Sequence, residues 1–249
     1  MTVKRALVYS VLGLSLWGLL AFLGEVLAGA RHHRTQEKMD VIIAAMVQYV
    51  ATYGSLPCPD VLQTGTEPRE EGGSCLGDQS RGTVPYRALR LDKEAALDGY
   101  RNFITYRVDP ALADSAKGQP LALNMLSCET NAVDTGGMVD YCAPGVHPAM
   151  FVRGRGLIVE NEWRKVADPM NNTGAAFVLI SHGRDERGAC RDRERMTPPA
   201  TGDDAANDCA RPVTTETAYS VRSSGDDELR SVKVGDIAIL AGLGPYTGK

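Results

Sequence analysis

No C-x-x-C pair occurs among the six cysteines of this 249-residue chain, so neither a zinc ribbon nor a thioredoxin-like centre is expected. No H-E-x-x-H and no G-x-S-x-G occurs either, which removes the short signatures of a zinc protease and of a nucleophile elbow. The chain also lacks a basic excess: beyond residue 30 it carries 25 Lys and Arg against 30 Asp and Glu. Binding nucleic acid normally takes a basic patch that neutralises phosphates, so no nucleic-acid partner is expected. The densest basic stretch, Arg184 to Arg195, is interleaved with Asp185, Glu186, Asp192 and Glu194 and reads as a solvated loop of mixed charge. Internal repeats and low-complexity tracts are absent.

What the chain has in quantity is one hydrophobic run. Ala6 to Ala30 is apolar but for Ser10, Ser15 and a single acid, Glu25. It follows Lys4-Arg5 and is followed at once by Arg31-His32-His33-Arg34. An apolar helix of about 20 residues is long enough to cross a bilayer. Residues 1–5 then form a cytoplasmic leader, 6–30 a transmembrane helix and 31–249 a head outside the cytosol. Ala28-Gly29-Ala30 is also an A-x-A pattern of the kind cut by signal peptidase. The uncharged stretch Ala6 to Gly24 is longer than a usual signal core, which favours a retained anchor. Basic residues at both ends leave the positive-inside rule silent on orientation.

The cysteines settle orientation. Cys58, Cys75, Cys128, Cys142, Cys190 and Cys209 all lie beyond the run. An even number behind an export signal reads as disulfides in an oxidising compartment. Six cysteines allow 15 connectivities. Spacing suggests neighbour pairing, Cys58–Cys75, Cys128–Cys142 and Cys190–Cys209, each stapling a Gly-, Asp- or Pro-rich loop.

After the run, Met39, Ile42, Ile43, Met46, Val47 and Val50 recur at spacings of three and four, the stripe of an amphipathic helix. No Gly or Pro interrupts the chain between Ala30 and Tyr53, and Gly54 supplies a stop. The membrane helix is therefore expected to continue unbroken through 31–53 into the head. Beyond it, residues 60–82 and 184–225 read as loops. Thr83 to Leu89, Phe103 to Val108, Leu157 to Val159 and Ala175 to Ile180 read as strands, and Leu121 to Leu126 as strand or helix. Val232 to Val234 and Ile237 to Leu240 read as a last hairpin or terminal strand. The expected class is α+β: one long N-terminal helix with a small antiparallel sheet packed on it and disulfide-stapled loops.

Leu56-Pro57-Cys58-Pro59 directly after an amphipathic helix, then Gly82, Pro85, Tyr86 and Leu89, then Asp98-Gly99-Tyr100-Arg101, then an apolar strand with Ser181-His182-Gly183, form an ordered set of short motifs. With the hydrophobic N-terminus, this set resembles the type IV pilin and type II secretion pseudopilin superfamily. The likeness is strongest to a bacterial pilin-like group whose helix ends in Leu-Pro-Cys-Pro. The resemblance implies a protruding helix, a periplasmic head, and assembly into a filament by bundling of the helices. It implies other pilin-like subunits, inner-membrane assembly proteins and the membrane itself as partners. Glu25, Trp17 and Ser10 would then belong to the assembly helix. The chain departs from the family pattern at its start, with Arg5 where a Gly precedes the cleavage site and Ser10 where a Glu is usual. An uncleaved, membrane-retained subunit and a specialised minor subunit both fit that departure.

Other residues invite chemistry. Glu25 reads as an interfacial residue or as a contact to another membrane helix. Asp226 and Asp227 read as a solvated turn, or as calcium ligands of the kind some pseudopilins carry near the C-terminus. Asp203-Asp204 reads the same way. Ser181 and His182 sit side by side on a strand end, so they point to opposite sheet faces and form no nucleophile–base pair. His182 reads as a surface-turn histidine, and His32-His33 as interfacial. Asn171-Asn172-Thr173 matches a glycosylation sequon, a motif frequent by chance. No catalytic residue and no cofactor other than calcium emerges. The expected function is a non-enzymatic, membrane-anchored structural subunit. The alternatives are a periplasmic or secreted enzyme or binding protein with a cleaved signal, and an anchored recognition module that never polymerises.

Overall fold

A computed structural model of the chain carries one unbroken helix, α1, from Thr2 to Tyr53, 52 residues and about 78 Å long. The structure describes residues 2–70, 75, 80–113, 156–161, 164–171, 173–190, 207–209, 218–220 and 227–242; of the first 20 it describes the backbone from Thr2 on and no side chain. Among the described residues, no helix is long and apolar enough to cross a membrane. The larger part of the expected span 6–30, with Ser10 and Trp17, lies outside the described side chains.

α1 ends as its sequence implies. Gly54 takes a left-handed conformation at φ 70° and its N–H returns to the Val50 carbonyl at 2.8 Å. The Leu-Pro-Cys-Pro stretch then hands the chain to the sheet. Leu56 N–H donates to the Leu112 carbonyl at 2.9 Å, and the Pro57 carbonyl accepts from the Tyr106 hydroxyl at 3.0 Å. Cys58 is bonded to Cys75, and Asp60 pairs with Thr83 through both backbone groups.

Four antiparallel strands form the main sheet: β1 (Arg81–Thr83), β2 (Thr105–Val108), β5 (Ala175–Ser181) and β7 (Glu228–Lys233), in the order β1-β2-β5-β7. A second sheet, β4 (Lys165–Ala167), β3 (Ile158–Glu160) and β6 (Ala218–Ser220), is ordered β4-β3-β6. Its β3–β6 pair is parallel, so the single antiparallel sheet expected from the sequence is half of the arrangement. Two short α-helices, α2 (Pro110–Ala113), between β2 and β3, and α3 (Val234–Leu240), after β7, and two 3-10 turns, Lys93–Ala96 and Pro169–Asn171, complete the described elements.

β5 is buried at every position because it is covered on both faces. Phe177 and Leu179 meet the stripe Met39, Ile42, Met46, Tyr49 and Val50 of α1. Val178 and Ile180 meet Leu157, Val159, Ala167 and Tyr219 of the second layer. A bulge opposite β7 resets the alternation, so that Ala176 and Phe177 both face the α1 side. A strand buried twice has no polar side, which is why its sequence is a continuous apolar run. Each fully buried aliphatic or aromatic side chain in this stack stabilises it by about 1.5–3 kcal/mol.

Three sequence expectations change here. Of the expected terminal strands, Val232 lies in β7, but Ile237 to Leu240 is helical, in α3 with Val234: Val234, Ile237 and Ala238 lie on one side of this short helix and fill the α1 core. The strand expected from Thr83 to Leu89 stops at Thr83, because Pro85 has no N–H for the ladder and the chain turns, with Leu89 N–H reaching the Pro85 carbonyl at 3.1 Å. The loop 184–225 contains β6. The segment Leu121 to Leu126 lies outside the described residues.

Candidate functional site

The head grips α1 from Arg31 onward and leaves the described side chains just before it, residues 21–30, uncovered. Every described side chain from residue 21 to residue 30 is exposed, including Phe22, Leu23, Val26 and Leu27, each about half or more accessible. Glu25 is among them. From Thr35 on, the stripe facing the sheet is fully buried. Thus one unbroken helix carries an exposed apolar stretch, residues 21–30, and a head-packed stretch after it.

At the junction, polar groups from three head segments close on the helix. The Thr35 hydroxyl donates to the Arg31 carbonyl and accepts the Gly99 N–H, both at 3.0 Å. Gly99 lies directly against the Arg31 backbone, and the Arg31 guanidinium sits 5.3 Å above the Tyr100 ring. Glu228, at the start of β7, takes a hydrogen bond from Gln36 Nε2 at 2.7 Å and faces His32 Nδ1 at 3.0 Å. Lys38 meets Glu94 at 3.4 Å, and Asp40 meets Arg230 at 3.3 Å. Burial pushes the Glu228 carboxyl above its usual range, opposed by Gln36 and His32.

Behind this collar, the last residue of β5 and the one that follows it point opposite ways. The Ser181 hydroxyl donates to Asp98 Oδ2 at 2.6 Å on the α1 side. Asp98 also accepts from the backbone of Tyr100 and Asn102, which shapes the loop that holds Gly99 against the helix. Burial raises the Asp98 pKa, and these hydrogen bonds pull against it. His182 is buried on the other side, with Nε2 3.0 Å from Thr105 Oγ1 and Nδ1 3.7 Å from Asp227. It is therefore a core histidine and not a surface-turn one. The separation of Ser181 from His182 follows the expected alternation, and the pair makes no nucleophile–base contact.

Asp227 is likewise no solvated turn. It is buried, with Oδ2 accepting from Asn207 Nδ2 at 2.9 Å and Oδ1 toward His182. Asp226, its expected companion for calcium, lies outside the described residues, as do Asp203 and Asp204. Among the described residues, no group of three or more His, Cys, Asp and Glu side chains is arranged to hold a metal ion. Cys58–Cys75 and Cys190–Cys209 are bonded as neighbours, while Cys128 and Cys142 lie outside the described residues. His32 and His33 both sit where the helix leaves the head, and His33 pairs with Glu37 at 3.3 Å.

Sequence reasoning missed Glu228, Thr35 and Gln36 as junction residues, and Tyr49, Glu67 and Arg69 as a second polar knot at the far end of the helix. Only Gly99 carried a hint, inside Asp98-Gly99-Tyr100-Arg101. No protein-family model, no curated protein and no solved structure matches this chain.

Proposed function

We propose that the chain is a pilin-like or pseudopilin-like structural subunit, held in a bacterial inner membrane by residues 6–30 with its head in the periplasm. It acts by assembly, through the projecting half of α1, and performs no catalysis. The observation that carries this reading is the uncovered apolar segment at residues 21–30, continuous with a helix that the head holds from Arg31 on. A helix of this kind serves two solvents in turn, lipid before assembly and copies of itself afterwards. The two disulfides favour an oxidising compartment for the head. The Leu-Pro-Cys-Pro hand-over from helix to sheet supports the pilin-like part of the proposal. Its partners on this reading are other pilin-like subunits and inner-membrane assembly proteins. The subunit is a minor or specialised one, since Arg5 and Ser10 stand where the family has its Gly and Glu.

Single cysteines placed through residues 10–25 test it. Oxidative cross-linking in membranes is expected to give ladders, and a chain that stays monomeric at every position is not a filament subunit. The mature N-terminus separates the remaining readings. A chain beginning at Arg31 and recovered as a soluble periplasmic protein belongs to the cleaved, secreted class.

A further inference from the structure

The four residues that follow the apolar run, Arg31, His32, His33 and Arg34, occupy the whole circumference of α1. Successive helical residues are turned by about 100°, so four in a row leave no side without one. Two of them straddle the face that meets the head: Arg31 rests over the Tyr100 ring and His32 faces Glu228. His33 and Arg34 are exposed on the remaining sides. Among the described residues, no carboxylate pairs with Arg31 or Arg34. Arg101, in the loop pressed on the Arg31 backbone, adds a third guanidinium; it lies 3.6 Å from the half-exposed Glu94 and is itself 76% exposed, so a phosphate can reach it. Glu37, exposed on the same helix, faces His33 at 3.3 Å.

The height of this ring matters as much as its charge. About 20 apolar residues span the hydrocarbon core of a bilayer, and counting back from Ala30 uses the run from Val11 on. The next four residues then fall in the headgroup layer. Guanidinium groups bind phosphate oxygens in a planar, two-point fashion, and imidazole N–H groups add donors beside them.

Resting on the membrane-anchored reading above, we infer that Arg31, His32, His33 and Arg34, with Arg101, form a phosphate-binding collar that seats the head on anionic phospholipid headgroups. The collar fixes the depth of the helix and holds the loop 98–102 against the membrane surface. Zwitterionic lipid fits it less well, because its ammonium group meets the same cations.

The full chain in nanodiscs of mixed phosphatidylcholine and phosphatidylglycerol provides the test, with the lipid retained on release read by native mass spectrometry. Retained phosphatidylglycerol is expected to exceed its bulk share, to fall about fivefold in Arg34→Gln, and to fall again in Arg34→Gln/Arg101→Gln. High salt is expected to weaken the preference. Arg34 and Arg101 are exposed, so both variants keep the fold. Retention at the bulk ratio, or a preference untouched by these variants, overturns the inference and leaves the ring to an acidic protein partner. Loss of the preference to inorganic phosphate at equal concentration would reveal a simple anion site and overturns it also. A chain that does not enter nanodiscs at all overturns the anchored reading itself, an outcome distinct from the others.

Discussion

The Tyr49 hydroxyl donates to Glu67 Oε1 at 2.5 Å, tying the last turns of α1 to the loop closed by Cys58–Cys75. The other Glu67 oxygen accepts from the Cys58 N–H and from Arg69, whose guanidinium also reaches the Leu56 and Ala113 carbonyls. Burial, then Glu67, pushes the Tyr49 phenol well above its ordinary range. The folded chain therefore keeps this proton beyond pH 10, where the unfolded chain releases it, and stability falls as pH rises past about 10. Tyr49→Phe is expected to cost about 1.5 kcal/mol at neutral pH and to make the alkaline loss shallower. Urea midpoints at neutral and alkaline pH check both; an unchanged alkaline slope contradicts the assignment.

Gly99 has no room for a side chain. A Cβ there would land on the Arg31 carbonyl, which is backbone inside a helix and cannot yield cheaply. Gly99→Ala is expected to destabilise the head by about 1–3 kcal/mol and to speed amide exchange in residues 31–36. Wild-type stability with wild-type exchange would show that the loop and helix are not in contact.

Glu228 sets an acid-side dependence with a definite sign. Its raised carboxyl pKa means that, above about pH 4, the folded chain holds a proton that the unfolded chain has lost. The stabilisation is complete at lower pH and is lost as pH rises through the folded pKa. Relative to Glu228→Gln, the parent chain should therefore lose stability as pH rises above the ordinary glutamate range. A pH series of urea midpoints for the pair reads this directly, and parallel curves would count against it.

The two halves of α1 should respond differently to truncation. Ile42 is fully buried against the sheet, so Ile42→Ala is expected to cost about 2–5 kcal/mol. Phe22 is 62% exposed, so Phe22→Ala should stay within about 0.5 kcal/mol while lowering cross-link yield between copies. A thermal melt and the cross-linking assay separate the two effects; a strong stability loss at Phe22 would mean that the head covers it.

Removing the staple near the end of α1 should also be measurable. The Cys58–Cys75 loop, with a sequence separation of 17, is worth about 3 kcal/mol in the chain-entropy model. Cys58→Ala/Cys75→Ala is expected to lower the urea midpoint accordingly and to expose residues 60–70 to proteases. Equal protease resistance would assign the loop's order to Glu67 and Arg69 alone.

Local pattern made much of this fold legible. The absence of Gly and Pro from Ala30 to Tyr53, with the stripe from Met39 to Val50, gave one continuous helix its signature. Ala175 to Ile180 read as a central strand because a doubly buried strand must be apolar throughout. Short loop spacing pointed to Cys58–Cys75 and Cys190–Cys209. What stayed hidden depends on distant pairing. His182 finds Thr105 77 residues away, and Gln36 finds Glu228 192 residues away. Leu157 to Val159 already read as the strand that becomes β3, but β4 and β6 are three residues each, too short to show a period, and β6 reaches β3 in parallel from far along the chain. Ile237 to Leu240 is an apolar run too short for periodicity to tell strand from helix.

The uninterrupted passage of α1 through the collar makes the projecting half a stiff lever. From Arg31 back to Thr2 it reaches about 44 Å at 1.5 Å per residue, with no glycine-rich or proline hinge at the pivot. A tilt of only about 10° at the collar displaces the tip by about 8 Å, close to the distance between neighbouring packed helices. Small adjustments among Thr35, Gly99, Gln36 and Glu228 are therefore enough to shift the far end of the rod by nearly the width of a helix.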